Sequence, residues 1–339
     1  MTASSWFSFN LNDFSFSFLS ILFEGVPFLL AGTLISGFID AFLPSQRLDK
    51  LLPKRAGLAI LLGGLLGLIF PMCECGVIPV IRRMIRKGLP VAPAMTYLLA
   101  APIVNPVVAL STYAAFRGQD PATVLAFRLA LGFGIACVAG AIVLGLPKEK
   151  ILTAELVATA RPVRKPLMQL AVSGSGLASN ETPDDNFPDP SALEKAISAE
   201  KPSVGQKLLA ALRTACGDFL DVAFYLVLGA AITAVFNTAV SREQVILPLA
   251  SNVWFATYAL TALAGLLSLC STSDAFVAAN FVAFPLAAKL AFMVFGPMMD
   301  LKLLFLYSLV FRKRFTVALA VALFVGIGLL CVHLASFIQ

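Results

Sequence analysis

The sequence predicts an all-α polytopic membrane protein made of two inverted repeats. Each repeat holds three membrane-crossing helices plus one re-entrant helical hairpin, with discontinuous helices at the midplane. Three observations carry this fold class. Of 339 residues, 59% are hydrophobic and only 13% charged, whereas soluble domains carry about a quarter charged residues. The apolar residues run in long stretches such as 91–116 and 122–146, each able to cross a hydrocarbon core of roughly 30 Å. The basic residues gather in short clusters between those stretches, as topology signals do. A porin-type barrel needs short segments of alternating polarity, and these are absent.

Taken in chain order, the first 13 residues contain no Lys or Arg. They lack the basic start of a cleaved secretory signal, and Trp6, Phe7, Phe9 and Phe14 read as an interfacial aromatic anchor. A first crossing follows and carries Glu24. Next come Arg47, Lys50, Lys54 and Arg55, then an apolar stretch, then Arg82, Arg83, Arg86 and Lys87. A plain crossing between these clusters would strand one of them outside, against the positive-inside rule. A hairpin resolves the conflict: 57–70 enters, the chain turns at Pro71-Met72-Cys73-Glu74-Cys75-Gly76, and 77–85 returns. Fourteen helical residues reach only about 21 Å, short of the far surface. A plain eight-crossing arrangement is the alternative.

The crossing 91–116 is interrupted by Pro102-x-x-Asn105-Pro106, where prolines remove backbone donors. Asn105 can offer a donor and an acceptor to a polar solute, or the break can be a structural kink. After the crossing 122–146, Lys, Glu, Asp, Ser and Pro dominate 147–206, which reads as a flexible cytoplasmic linker. The chain therefore divides into a first membrane repeat 1–146, the linker 147–206 and a second, inverted repeat 207–339. In the second repeat, 254–269 enters, Cys270-Ser271-Thr272-Ser273-Asp274 turns, and 275–288 returns. A crossing interrupted at Pro297 and a last apolar helix with the single histidine, His333, complete it.

With the N-terminus outside, this arrangement puts most of the 25 Lys and Arg in the cytoplasm, leaving Arg117 and Arg242 outside. Both termini are then periplasmic. An odd number of crossings inverts the second half. Three matches in the same order support a repeat: Phe23-Glu24-Gly25 with Phe219-Leu220-Asp221, the stretch before Cys73 with that before Cys270, and Pro102-x-x-Asn105 with Pro297-x-x-Asp300. Inverted repeats with paired broken segments are a secondary-transporter architecture, with solute bound near the midplane.

Non-helical backbone at membrane depth persists only where protein or a water-filled cavity satisfies it, so both turns are candidate cavity walls. Cys73, Glu74, Cys75 and Gly76 stand at one, and Cys270, Ser271, Thr272, Ser273 and Asp274 at the other. Thiols select soft, thiophilic cargo, so Cys73, Cys75 and Cys270 are candidate ligands for a soft ion or an arsenical. A buried cysteine more often only packs, which is the reading for Cys137, Cys216 and Cys331. Intramembrane acids are costly and usually functional. Glu24, Asp218, Asp221 and Asp300 are candidates for ion coupling, with structural pairing of Asp218 and Asp300 to Lys302 or Lys289 as the alternative. No G-x-x-x-x-G-K-[ST] loop occurs, so no ATP site is expected. No cofactor and no nucleic-acid partner are expected either; the net charge of +6 is absorbed by topology.

Leu68-Ile69-Phe70-Pro71-Met72-Cys73-Glu74-Cys75-Gly76-Val77-Ile78-Pro79, Ala101-Pro102-Ile103-Val104-Asn105-Pro106 and Leu269-Cys270-Ser271-Thr272-Ser273-Asp274-Ala275-Phe276 resemble the bacterial predicted permeases related to the organoarsenical efflux permease. The resemblance covers nearly the whole chain except the linker. It implies a multi-pass permease of the bacterial inner membrane, not an enzyme. Some members of the family export trivalent arsenicals with cysteines implicated in handling them. Glu74 stands between the thiols where a small residue such as Ser is expected of many relatives, which leaves a cationic cargo open. The expected function is outward transport of a small thiophilic solute, a trivalent (organo)arsenical foremost, through a cysteine-lined midplane site. Pro102, Asn105 and Pro106 are counted with the turns as substrate-binding candidates. A soft-metal or sulfur-compound carrier and a membrane-embedded thiol oxidoreductase are the alternatives.

Overall fold

The computed structural model describes residues 11–42, 53, 55–69, 72–160, 204–239 and 252–338. The described residues form helices and no strand beyond one isolated bridge, Leu152 with Phe311. In chain order the helices are α1 Leu11–Phe42, α2 Ala56–Ile69, α3 Glu74–Arg86, α4 Val91–Ala100, α5 Pro106–Ala115, α6 Pro121–Leu144, α7 Lys148–Ile151 and α8 Ala154–Ala160. The second half continues with α9 Val204–Ala239, α10 Val253–Leu267, α11 Ser273–Asn280, α12 Leu286–Met298, α13 Leu301–Tyr307 and α14 Lys313–Ile338. Among the described residues, five stretches are long and apolar enough to cross a membrane: Leu11–Phe42, Pro121–Leu144, Gly205–Phe236, Leu286–Tyr307 and Lys313–Leu334. The chain is thus an all-helical multi-pass protein. Trp6, Phe7, Phe9, Arg47, Lys50, Pro71, Arg242 and most of the linker lie outside the described residues.

The two longest helices, α1 and α9, run side by side in opposite directions, since Gly25 meets Leu226 while Gly37 meets Ala211 and Ala215. Small residues at such crossings let backbones approach where lipid gives no hydrophobic drive for association. α3 crosses α1 the same way, because a Cβ on Gly32 would collide with the Gly76 carbonyl. In the first half α2 packs on α4, α4 on α6 and α2 on α6. In the second, α10 packs on α12, α12 on α14 and α10 on α14. α4 is buried along its entire length and α12 from Ala287 to Met298, at the centre. Large apolar side chains such as Phe23, Leu110 and Leu220 point outward from the surrounding helices, as a lipid-facing surface requires.

Local signals set the breaks. α4 stops at Ala100, and Asn105 starts α5 by accepting from Val107 N at 2.9 Å, with Pro106 in the first helical position where its missing donor costs nothing. Asp300 starts α13 equivalently, accepting from Leu303 N at 2.7 Å.

The structure differs from the sequence expectations in four places. Glu74, Cys75 and Gly76 belong to the first turn of α3 rather than to the connecting loop, where a carboxylate is favoured by the helix dipole. The helix expected over 275–288 is shorter: α11 ends at Asn280, and a new helix begins after Pro285, because a proline donates no bond to the preceding turn. Pro297 lies within α12, and the interruption comes at Met299 and Asp300. The linker is not wholly flexible at its start. Ile151, Leu152 and Leu156 are buried, and this segment is tied to the α13–α14 connection by Arg312 N to Ile151 O at 2.9 Å and Thr153 N to Val310 O at 3.1 Å.

Candidate functional site

The two turns face one another across a small cavity. Cys73, Glu74 and Cys75 line it from the start of α3, Ser268 and Cys270 from the α10–α11 turn, and Lys302 from α13. Glu24 and Gly25 of α1 and Leu226 of α9 also contribute. Its volume is about 10 Å³, about the room one water needs. All three candidate thiols therefore border one space although they come from opposite halves of the chain. Among the described residues, no group of three or more His, Cys, Asp or Glu side chains converges closely enough to hold a metal ion. The thiols border the cavity without closing into a three-ligand cage.

The turns satisfy their own backbone. Ser268 ends α10 in a left-handed conformation, φ 48°, and its freed carbonyl accepts from Lys302 Nζ at 3.0 Å. The Cys270 carbonyl accepts from Ser273 N and Asp274 N, both at 3.0 Å, and the Cys73 carbonyl from Gly76 N at 3.1 Å. Lys302 can come this close because Gly229 of α9 has no side chain: a Cβ there would stand 2.9 Å from Lys302 Cα.

Two buried ion pairs flank the turns, and each joins one half to the other. Lys302 Nζ lies 3.0 Å from Glu74 Oε1 and 3.5 Å from Asp300 Oδ2. The other Glu74 oxygen and Asp300 Oδ2 receive no hydrogen bond. Arg128 of α6 places Nη2 2.9 Å from both carboxylate oxygens of Asp274 and 2.9 Å from the Ser271 carbonyl, and Nη1 2.7 Å from Thr112 Oγ1. A lone buried charge would cost several kcal/mol, so each pair fixes the distance between its partners. Ser273 Oγ also donates to Glu24 Oε1 at 2.8 Å, a further tie between the halves.

Of the residues singled out in the sequence, Glu24, Cys73, Glu74, Cys75 and Cys270 border the cavity. Gly76 serves the crossing with α1. Pro102 lies in the turn between α4 and α5, and Asn105 and Pro106 shape the start of α5. Asn105 Nδ2 also reaches the Met72 carbonyl at 3.5 Å, tying this break to the first turn. Ser271, Thr272, Ser273 and Asp274 brace the second turn from behind. Asp300 sits one step outside, beyond Lys302. Asp218 and Asp221 are elsewhere, held by the arginines at the end of α3: Arg83 to Asp218 at 2.8 Å and Arg82 to Asp221 at 3.1 Å. Arg82 and Arg86 also reach Glu155 of α8, and Lys87 and Arg83 reach Asp40. The second basic cluster is therefore an ion-pair seam among α1, α3, α8 and α9.

Sequence reasoning did not name Lys302, Arg128 or Ser268 as site residues. For Arg128 and Lys302 a signal was present, a single cation inside an apolar stretch, which in a membrane segment marks a buried partner. For Ser268 there was none, since its part is played by a carbonyl.

Comparison with known proteins agrees with this architecture. A family described as predicted permeases matches residues 10–337. The chain is 34% identical over 316 residues to the UPF0718 protein YcgR of Bacillus subtilis (strain 168), covering 93% of each chain. It is 31% identical over 299 residues to a putative two-component membrane permease complex subunit of Streptococcus mutans serotype c, covering 88% of this chain and 87% of that one. No solved structure matches. The match along nearly the whole length, together with the five apolar stretches among the described residues that are long enough to cross a membrane, places the chain in the predicted permease family.

Proposed function

We propose that this permease is a secondary-transporter-type carrier of two inverted repeats that exports a small thiophilic solute, a trivalent arsenical foremost, across the bacterial inner membrane. The observation that carries the reading is the cavity bordered by Cys73 and Cys75 from one half and Cys270 from the other. Trivalent arsenic takes two or three sulfur ligands. A hydroxylated arsenical exchanges each hydroxide for a thiolate, and the thiol proton leaves with the hydroxide as water. The antiparallel packing of α1 on α9 and the recurring helix contacts of the two halves support the inverted repeat. With the linker in the cytoplasm, the seam of Arg82, Arg83, Arg86 and Lys87 closes the cytoplasmic side, and α2 with α3 forms the re-entrant hairpin.

A cavity with room for about one water encloses no arsenical, so this conformation is the closed one and cargo enters when one half moves against the other. Site geometry built from both halves makes such movement the means of release. A second reading rests on Glu74, a buried carboxylate on the cavity with one oxygen unpartnered: a soft metal cation, which thiolates also select, would be drawn by that charge.

Transport into sealed inverted vesicles tests both readings, using a trivalent arsenical, antimonite and a panel of soft metal ions. Cys73→Ser and Cys75→Ser are expected to abolish transport of the arsenical at unchanged protein amount, while Cys137→Ser and Cys331→Ser retain it. Equal activity of all four variants refutes the thiol site. Transport of the metal ions alone selects the second reading.

A further inference from the structure

We propose that Arg128 is a positioning residue for Cys270: from the first half of the chain it holds the second half's turn in the one place where the Cys270 thiol borders the cavity. The inference rests on the three-thiol reading above and adds a determinant outside the cavity, for Arg128 is not among the residues that border it.

Arg128 is completely buried in the apolar helix α6. Burying a guanidinium costs several kcal/mol unless it is paired and hydrogen-bonded. What it is paired with is specific. Apart from Thr112, every hydrogen bond it makes ends on the 271–274 segment: the Ser271 carbonyl and both oxygens of Asp274. These two attachment points bracket the start of α11. The Cys270 carbonyl accepts the amides of Ser273 and Asp274, so fixing Asp274 and Ser271 also fixes the peptide that carries the thiol. The remaining ties of the turn each act on one atom: the Ser273 hydroxyl on Glu24 at 2.8 Å, Lys302 on the Ser268 carbonyl at 3.0 Å, and a Thr272 hydroxyl 3.7 Å from Cys270 Sγ.

A planar guanidinium can engage a backbone carbonyl, a carboxylate and a hydroxyl together in fixed directions, which a lysine ammonium on a flexible stem cannot. The other half is braced reciprocally, with Lys302 of the second half holding the Glu74 end of α3. Lys302 itself touches the cavity, so its replacement would alter the site directly. Arg128 does not, which makes it the clean test of positioning.

The experiment needs no cargo, so its result stands apart from the fate of the arsenical reading. In the full chain with Cys73, Cys137, Cys216 and Cys331 replaced by Ser, Cys75 and Cys270 are the only thiols. Molecular iodine, which adds no spacer, is expected to join them as a disulfide in detergent-solubilised protein, the two thiols giving up their hydrogens as two hydrogen iodide. Arg128→Met with Asp274→Leu removes both charges together and leaves no unpaired ion. This variant is expected to lower the cross-linking yield several-fold while helix content and thermal midpoint stay near those of the parent. Arg128→Lys keeps the charge and is expected to lower the yield as well, which serves as the reading should the double variant fail to accumulate. A merely structural role would lower the midpoint or the amount of protein and leave the yield of the folded fraction unchanged. An unchanged yield in folded Arg128→Lys protein, or no cross-link in the parent, overturns the proposal. If the cross-link behaves as expected and no arsenical is carried, the positioning stands and the cargo assignment falls.

Discussion

Lys302→Met is the most informative single change for the energetics of the site. Lys302 is buried, and its ammonium donates to Glu74 Oε1 and to the Ser268 carbonyl, both at 3.0 Å, and forms an ion pair with Asp300 Oδ2 at 3.5 Å. Its removal leaves two carboxylates, exposed by only 2% and 1%, without a cation. Breaking a buried pair from one side costs about 3–5 kcal/mol. Glu74→Gln is different. Lys302 keeps Asp300 and the Ser268 carbonyl, the amide oxygen can still accept, and the second Glu74 oxygen had no partner to lose. The loss is then that of one charge-assisted bond weakened to a neutral one, about 1 kcal/mol. Combining Lys302→Met with Glu74→Gln leaves Asp300 as the single unpaired acid, so the double variant is expected to be more stable than Lys302→Met alone, a coupling that a double-mutant cycle reads directly. The assay is unfolding of the purified chain in mixed micelles by titration with SDS, followed by circular dichroism. Equal losses for Lys302→Met and Glu74→Gln, or additivity in the double variant, would refute the pairing.

Three further outcomes follow from the packing and the charges. Gly32→Ala places a methyl group against the Gly76 carbonyl and is expected to cost about 1–3 kcal/mol or more as overpacking, whereas Gly134→Ala, with nothing within 4 Å, leaves accumulation and stability unchanged; equal behaviour of the two would remove the α1–α3 crossing. In the ion-pair seam, Glu155→Gln is expected to change stability by less than about 1 kcal/mol, as exposed pairs do, since its side chain is 66% exposed, while Asp218→Asn, at 10%, costs measurably more; the reverse order in the same titration would contradict the seam. Cysteines introduced at Asp49 and Lys87 are expected to react with a membrane-impermeant thiol reagent from the cytoplasmic side only, and one at Arg242 from the opposite side only. Labelling of positions 49 and 87 from different sides would eliminate the re-entrant hairpin.

Much of the helical plan was legible in the sequence because its signals are local. Uncharged apolar stretches dictate helices in a medium that offers no other hydrogen-bond partners. The interruption near Asn105 announced itself through Pro102 and Pro106, and Asn105 and Asp300 cap the following helices with their own side chains. The two turns were recognisable from their polar residues and thiols. What the sequence left open, the tertiary structure decided by bringing distant backbones together. The length of the helix after the second turn depended on where the next one starts, at Pro285. Asp218 and Asp221 were as plausible at the site as Glu24, and only the approach of α3 to α9 assigned them to Arg83 and Arg82. Lys302 meets Glu74 across 228 positions of sequence, and Arg128 meets Asp274 across 146. Spacing carries no information about such pairs. They are set by which helices lie side by side, by glycines such as Gly229 that let α13 approach α9, and by the cost of leaving any buried charge alone.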